Sequence, residues 1–442
     1  MDEKEKLPVI IGAGLSGMAI SDNLSQAGIP HILLGAPPTT IPKLGESIDP
    51  AGTLALLRFY PEFDKYYFKK RWITVFLGDY ATSCNFGQTL SRQVGLKMIG
   101  FDSPAEFIHV DRIGFDHELY KKVVADNCCI HKNVLVESLD YDAGTDTFTA
   151  LHLADGETLE PSFVFDCTNH IRLLGRTIDL PIEYISEPQR VVYTHFHAPE
   201  GTSQEQLFGE EWEHATNILR LYQDWDALDG LAWAIPLGSY ISVGISIPLE
   251  EGVDLDKNEV MDWVAAAYAR RGLDFTAVFS QRRQVIMLPR QQYFYYDRAY
   301  GRNWLLAGPS YGQVWFPSAS GVGAALVSGY LAPQFLEDPA SAGQAYQEYA
   351  DGFKESHRIF DWMIKQDHEM MTQELVKVES NKIVAENVKR VARLATIQNG
   401  KMSASLANLL IKAVSRDGVA TSGCEVYQAE LPEQTHTIFE QM

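Results

Sequence analysis

Apolar and polar positions alternate between strand-like and helix-like periods along the chain. Residues 7–11 form an unbroken apolar run rich in Val and Ile, the pattern of a strand buried on both faces. A helical pattern over residues 18–26 follows, closed by Gly28, and residues 31–34 read as a second buried strand. Residues 53–59 predict a short apolar helix, and a helical pattern carrying Leu119, Val123 and Val124 follows Phe115-Asp116. Residues 134–153 alternate around Ala143-Gly144, which predicts a hairpin, and Ala154-Asp155-Gly156 predicts a further tight turn. Residues 163–166 form a buried strand ending in the polar turn Cys167-Thr168-Asn169. Between residues 188 and 288 lie β-rich runs at 190–197, 218–222, 231–235 and 240–247, interrupted by one helix at 258–270. Residues 304–310 read as a last parallel strand, followed by a helix of small residues at 324–330. From residue 340 the pattern is helical. Met370-Met371, Val376, Val378, Ile383, Val384, Val388, Val391 and Leu394 form an apolar face that covers the core or a partner.

Between the first strand and the first helix stands Gly12-Ala13-Gly14-Leu15-Ser16-Gly17. In this strand–turn–helix context the first glycine permits a tight turn and the second lets backbone approach a pyrophosphate. The third lets helix and strand pack closely, and the helix N-terminus supplies N–H donors. Gly12, Gly14 and Gly17 are therefore expected to hold a dinucleotide. One part of the pattern is missing. The acidic residue that grips the ribose belongs at the end of the second strand, where this chain has Gly35-Ala36-Pro37-Pro38.

Charge and cysteines narrow the partners. The chain has 442 residues, with 37 basic against 58 acidic side chains and a net charge of −21. Such a surface repels phosphate backbones and anionic lipid, so neither nucleic acid nor membrane is an expected partner. No run approaches the ~18 apolar residues of a membrane span, and the charged start lacks a signal peptide's order. Five cysteines without a CxxC pair point to a reduced, cytoplasmic protein without a metal site.

Further blocks follow the fingerprint in a fixed order: Gly45-Glu46-Ser47, His109-Val110-Asp111-Arg112, Asp166-Cys167-Thr168-Asn169, Leu231-Ala232-Trp233-Ala234-Ile235-Pro236, Gly308-Pro309 and Gly321-Val322-Gly323. Over roughly residues 7–330 this order resembles the FAD-dependent monooxygenase and flavin-dependent halogenase superfamily, with the fold of para-hydroxybenzoate hydroxylase. The Gly45-Glu46-Ser47 loop and the second half of a WxWxIP motif are most similar to the halogenase branch. Leu231 stands where that motif's first tryptophan would be. The resemblance implies an α/β fold, a Rossmann-type FAD-binding domain interleaved with a mixed β-sheet substrate domain, plus a helical C-terminal region. The corresponding boundaries are 1–187, with an inserted segment at 60–108, then 188–288, 289–335 and 336–442. It also implies that the pyrophosphate lies on Gly12, Gly14 and Gly17, and that Glu46, Ser47, Arg112, Asp166 and Gly308 lie around FAD. The turn Gly321-Val322-Gly323 opens a helix whose positive end would stabilise charge at the flavin pyrimidine edge.

The chain departs from the resemblance in two instructive places. Flavin monooxygenases carry Gly-Asp where this chain has Gly308-Pro309, which with Gly35 removes two cofactor carboxylates and implies a looser site. Halogenases carry a lysine soon after the GES loop, and the matching stretch here begins at Arg71. Arginine stays protonated and is a poor nucleophile, although a shift of register would bring the adjacent Lys69 or Lys70 to that place.

With Arg71 orienting substrate, the expectation is an FAD-dependent monooxygenase that hydroxylates an aromatic ring through a flavin C4a-hydroperoxide. The substrate is an aromatic small molecule or a tryptophan residue of a partner protein, as in flavoproteins that mature tryptophylquinone cofactors. A flavin-dependent halogenase is the second reading, and a non-catalytic flavin-binding partner protein the third. Without a second dinucleotide fingerprint, reducing equivalents come from outside, as from a flavin reductase. His195 and His197 share a strand face and are expected to pack rather than ligate. Tyr293-Phe294-Tyr295-Tyr296 is expected mainly to fill a strand interface.

Overall fold

A computed structural model describes residues 6–77, 80–85, 107–202, 212, 214–226, 228–250, 254–313, 319–366, 382, 386, 389–394, 397 and 424–428. The early apolar runs build a five-stranded sheet in the order Trp304–Leu306, Val164–Asp166, Val9–Ile11, His31–Leu34, Cys129–Lys132. Every neighbouring pair is parallel. A parallel sheet needs cover on both faces, and Val9, Ile10 and Ile11 are buried as the unbroken apolar run requires. The helix Leu15–Gln26 packs along Gly321–Glu337. There Gly329 lies against Ala19 so closely that an added Cβ would sit 2.7 Å from the Ala19 Cβ.

Two helices begin earlier than periodicity alone predicts, and their caps explain it. The first starts at Leu15 because Gly14 is its N-cap. The second spans Pro50–Phe59, with Asp49 Oδ1 accepting the Gly52 N–H and proline in the first turn. The expected hairpin is present as Val136–Asp142 and Thr147–Leu153.

A second sheet of nine strands is mostly antiparallel. Its order is Gln281–Arg282, Gln189–His197, Tyr240–Pro248, Gly230–Leu237, Ala215–Leu221, Trp72–Leu77, Tyr80–Asn85 and Cys424–Gln428, with Ile286–Gln291 also pairing Gln189–His197. Trp72–Leu77 joins Ala215–Leu221 in parallel, so part of the segment 60–108 builds this sheet. The helix Lys257–Ala269 buries Val260, Met261, Val264, Ala267 and Tyr268 against one face. The other face carries Val191, Tyr193, Trp233 and Ile235 and looks toward the first sheet.

The helices Gly321–Glu337 and Pro339–Ile364 open the C-terminal part, and residues 389–394 are helical. Val391 and Leu394 are buried, whereas Met370, Met371, Val376, Val378, Ile383, Val384 and Val388 lie outside the described residues. Among the described residues no helix is long and apolar enough to cross a membrane.

Candidate functional site

A cavity of about 500 Å³ joins the C-terminal ends of the parallel strands to the apolar face of the second sheet. Gly14, Leu15 and Ser16 form one wall. Gly12 has φ +110°, and a Cβ there would lie 2.5 Å from the Cys167 carbonyl oxygen; at Gly17 it would lie 1.9 Å from the Gly12 oxygen. Both positions need glycine for close backbone approach. Gly14 differs: a Cβ there meets nothing within 4 Å, so open space stands over the turn. Among the described residues no side-chain cap bond closes the helix that starts at Leu15 or the one that starts at Gly321. Gly321 and Val322 line the same cavity, so two uncapped helix N-termini, each a positive dipole end, share it. Gly323 lies deeper, where a Cβ would stand 2.8 Å from the Tyr349 hydroxyl.

The missing ribose carboxylate has a local cause. Gly35 has φ +138°, and a Cβ there would lie 2.8 Å from the Ala13 nitrogen. A side chain cannot stand where this chain brings the second strand against the glycine turn. Gly308 is similarly confined, with φ +54°, its N–H donating to the Tyr346 hydroxyl at 2.6 Å and a would-be Cβ 2.4 Å from Ser16 Oγ. Pro309 follows it on the cavity wall.

Arg112 and Lys43 bring positive charge to the wall. Arg112 donates from Nε and Nη2 to the two carboxylate oxygens of Asp116, at 2.9 and 3.1 Å, and Lys43 Nζ donates to the same group at 3.0 Å. Burial pushes the Asp116 carboxyl up, but the two cations outweigh it and hold the group below its usual range. Two cations thus share one carboxylate. Asp166 lies behind the wall. It is fully buried and accepts the Thr168 N–H and hydroxyl and the Leu174 N–H at 2.7–2.9 Å. Its role is to fold the turn that presents Cys167 and Asn169 to the cavity.

The loop Gly45-Glu46-Ser47 lines the cavity, and behind it lies a buried polar network. Lys70, the last residue of the strand Tyr67–Lys70, donates from Nζ to Ser47 Oγ at 2.8 Å and to the Ile48 carbonyl at 2.7 Å. Ser47 Oγ lies 2.7 Å from Thr216 Oγ1, which lies 2.9 Å from His109 Nε2. Burial pushes the Lys70 amine down to about 7, against the pull of Asp49. Burial and Lys70 together hold His109 well below its usual range.

Arg71, the residue expected to act in catalysis, is not on this wall. It is half-buried, its backbone N–H donates to the His214 carbonyl, and its guanidinium lies 5.9 Å from the Trp72 ring centroid. Neighbouring residues of an extended chain face opposite sides, and here the inward side belongs to Lys70. Matching to the GES-plus-lysine pattern fell on Arg71 and reached Lys69 or Lys70 only by a shift of register, because a lysine buried to 3% exposure looks like any other in a basic run. The adjacent lysine pair was the available signal.

Glu46 Oε1 stands 2.9 Å from His195 Nε2, both buried, without hydrogen-bond geometry. The Tyr240 ring packs against both His195 and His197, with centroids at 4.6 and 5.2 Å, and the two imidazoles lie 6.3 Å apart. The two histidines therefore pack, and His195 also faces a carboxylate. The apolar wall is flat. Trp233 lies over Gly244, where a Cβ would meet its ring at 2.2 Å. Tyr193, Ile235 and Leu288 continue the wall, and Tyr293 and Tyr295 of the aromatic run close one end. Strand packing was the main expectation for those tyrosines, and two of them line the cavity.

No family model and no curated protein matches this sequence. Solved structures match in fold. The flavin-dependent halogenase PltM in complex with phloroglucinol and FAD has a TM-score of 0.66 at 14% identity, covering 99% of this chain and 90% of its own. The flavin-dependent brominase Bmp2 has a TM-score of 0.61 at 15% identity, covering 93% and 100%. A flavoprotein/dehydrogenase from Cytophaga hutchinsonii has a TM-score of 0.62 at 16% identity, covering 92% and 99%. The chain thus shares the overall fold of these flavin-dependent structures.

Proposed function

We propose that the protein is an FAD-dependent oxidoreductase that halogenates an aromatic substrate. The observation that carries this reading is Lys70, a buried amine with a lowered proton affinity held against the Gly45-Glu46-Ser47 loop. FAD fits the residues present. The open space over Gly14 and the uncapped N–H groups of the first helix suit a pyrophosphate. The start of Gly321–Glu337, with Arg112 and Lys43, suits the negative charge of a reduced flavin. Reduced FAD, when bound, supplies the activation of dioxygen from which an electrophilic halogen or oxygen is made. A separate flavin reductase is the proposed source of its electrons.

The chain's own residues do the rest. With its proton affinity near neutrality, a large share of Lys70 is free amine at pH 7. Once Ser47 yields its place between the amine and the cavity, the amine attacks hypohalous acid: an N–halogen bond forms as the halogen–oxygen bond breaks, and water leaves. The halogen then passes to a ring carbon, whose proton is lost. Trp233, Tyr193, Ile235 and Leu288 offer a flat apolar surface for that ring, and Glu46 lies on the same cavity wall. A second reading, hydroxylation of an aromatic small molecule or of a tryptophan residue, is favoured by one observation. Ser47 rather than Lys70 stands on the wall, so Lys70 reaches the cavity through a hydroxyl and can serve there as a proton donor.

Supplying reduced FAD, air and bromide with a panel of phenols and indoles tests both. A brominated product lost in Lys70→Met supports halogenation. A gain of one oxygen that is independent of halide supports hydroxylation instead, and no product with either sinks both.

A further inference from the structure

The C-terminal region reaches this site from behind. The helical stretch 389–394 carries Arg390, which is 1% exposed. Its guanidinium lies 4.7 Å from the Phe353 ring centroid, and Phe353 is on the cavity wall. Arg390 Nε stands 3.7 Å from Asp49 Oδ2, an ion pair with both side chains almost wholly buried. Asp49 Oδ1 caps the helix Pro50–Phe59, while Oδ2 has no hydrogen-bond partner among the described residues. The residue before it, Ile48, supplies the carbonyl that accepts from Lys70. One short loop therefore carries both the carboxylate that faces Arg390 and the acceptors that hold Lys70. The same carboxylate abuts the start of Gly321–Glu337, where a Cβ on Gly323 would lie 3.2 Å from Asp49 Oδ1.

We propose that Arg390 is a positioning residue that keeps Asp49 charged and the loop 46–49 in place, and through them governs the proton on Lys70. A buried carboxylate that loses its cation is left uncompensated and takes up a proton. Burial pushes the Asp49 carboxyl up, and of the groups that pull it down Arg390 is the strongest, ahead of Lys70. With Asp49 neutral, the charge that among the described residues pulls Lys70 back toward its ordinary affinity is gone, and the amine loses its proton more readily. The other titratable groups described around the pair do not replace it. His109 faces Lys70 but is held neutral by burial, and His214 acts on His109. The Tyr349 phenol beside Asp49 is buried and keeps its proton.

The inference takes its meaning from the proposed role of Lys70, but it is tested without turnover. Full-length protein carrying [ε-13C]lysine is titrated by NMR, and the Lys70 resonance is assigned by its absence from Lys70→Met. The midpoint falls by about one pH unit or more in Arg390→Met and in Asp49→Asn, falls no further in the double variant, and is restored in Arg390→Lys. A midpoint that stays or rises in Arg390→Met, or a double variant that sums the two shifts, overturns the proposal. Where Arg390→Met does not fold, Asp49→Asn carries the test, and an unchanged midpoint there overturns it equally. A midpoint that moves in an enzyme that never halogenates sinks the proposed function and leaves this inference standing.

Discussion

Replacing Lys70 by methionine removes a buried titratable group while keeping the length of the side chain. In the folded chain the amine releases its proton at about 7, whereas its ordinary value is 10.5. Between those values the unfolded chain holds a proton that the folded chain has lost, so wild-type stability rises with pH across that window. The methionine variant has no such term. The cost of the protonated buried amine is fully present at pH 6 and is partly relieved by pH 9. From the two values, wild type gains on the variant by about 2–3 kcal/mol over that interval. For a chain of this length that is a change of about 3 °C in the difference between their melting temperatures. The hydrogen bonds to Ser47 and Ile48 are lost at every pH and cancel in the comparison. Scanning calorimetry of both proteins without cofactor at pH 6, 7.5 and 9 reads the effect. Lys70→Met is expected to compare best with wild type at pH 6 and to fall behind as pH rises. A melting difference independent of pH would show that Lys70 keeps an ordinary proton affinity, and the nucleophile assigned above would lose its basis.

Two glycine substitutions separate ligand space from packing space. Gly14→Val enters a void at an ordinary φ of −80°, so the apo melting temperature stays within about 1 °C while FAD affinity, read by flavin fluorescence, drops about 10-fold or more. An unchanged affinity would place the pyrophosphate elsewhere. Gly35→Asp restores the ribose carboxylate in sequence but puts a Cβ 2.8 Å from the Ala13 nitrogen at φ +138°. It is expected to lower the melting temperature by several degrees and to weaken FAD binding, and tighter binding would refute the steric argument.

The first sheet was legible because its signals are local. An unbroken Val/Ile run, a glycine turn at fixed spacing and a helix with small residues each demand one conformation, and their order then dictates a parallel sheet. The second sheet was legible only in part. Residues 190–197 and 240–247 announce strands by composition, but nothing local tells Trp72–Leu77 to pair with Ala215–Leu221, a contact made across more than a hundred residues. The site divides in the same way. Gly12, Gly14 and Gly17 are fixed by backbone geometry, which a motif records. Asp166 fits the strand end of its motif yet serves the turn, and the motif cannot distinguish carboxylates that bind a ligand from those that bind backbone. Lys70 was displaced by its neighbour because sequence alignment by type ranks Arg71 and Lys70 by position. Burial and the loop that accepts the hydrogen bonds rank them by chemistry.

The whole chain is strongly acidic, whereas the charged side chains on the cavity wall balance, Lys43 and Arg112 against Glu46 and Asp116, and the difference has a physical use. A net charge of −21 repels anions at long range. Inside, Lys43 and Arg112 share the single carboxylate of Asp116, and two helix N-termini without side-chain caps add their positive ends. Screening confines the outer field to about 10 Å at ordinary salt, whereas groups in a buried cavity act at low dielectric. The proposed anionic cofactor would therefore be opposed on approach and favoured on arrival by the helix ends rather than by net side-chain charge. The carboxylates absent at Gly35 and Pro309 fit this balance, since either would add negative charge beside a pyrophosphate. The groups that would hold the proposed cofactor are then mostly backbone, and the side chains proposed to act beside it are themselves positioned by backbone: Lys70 through Ile48 and Ser47, and Asp49 through the first turn of its helix.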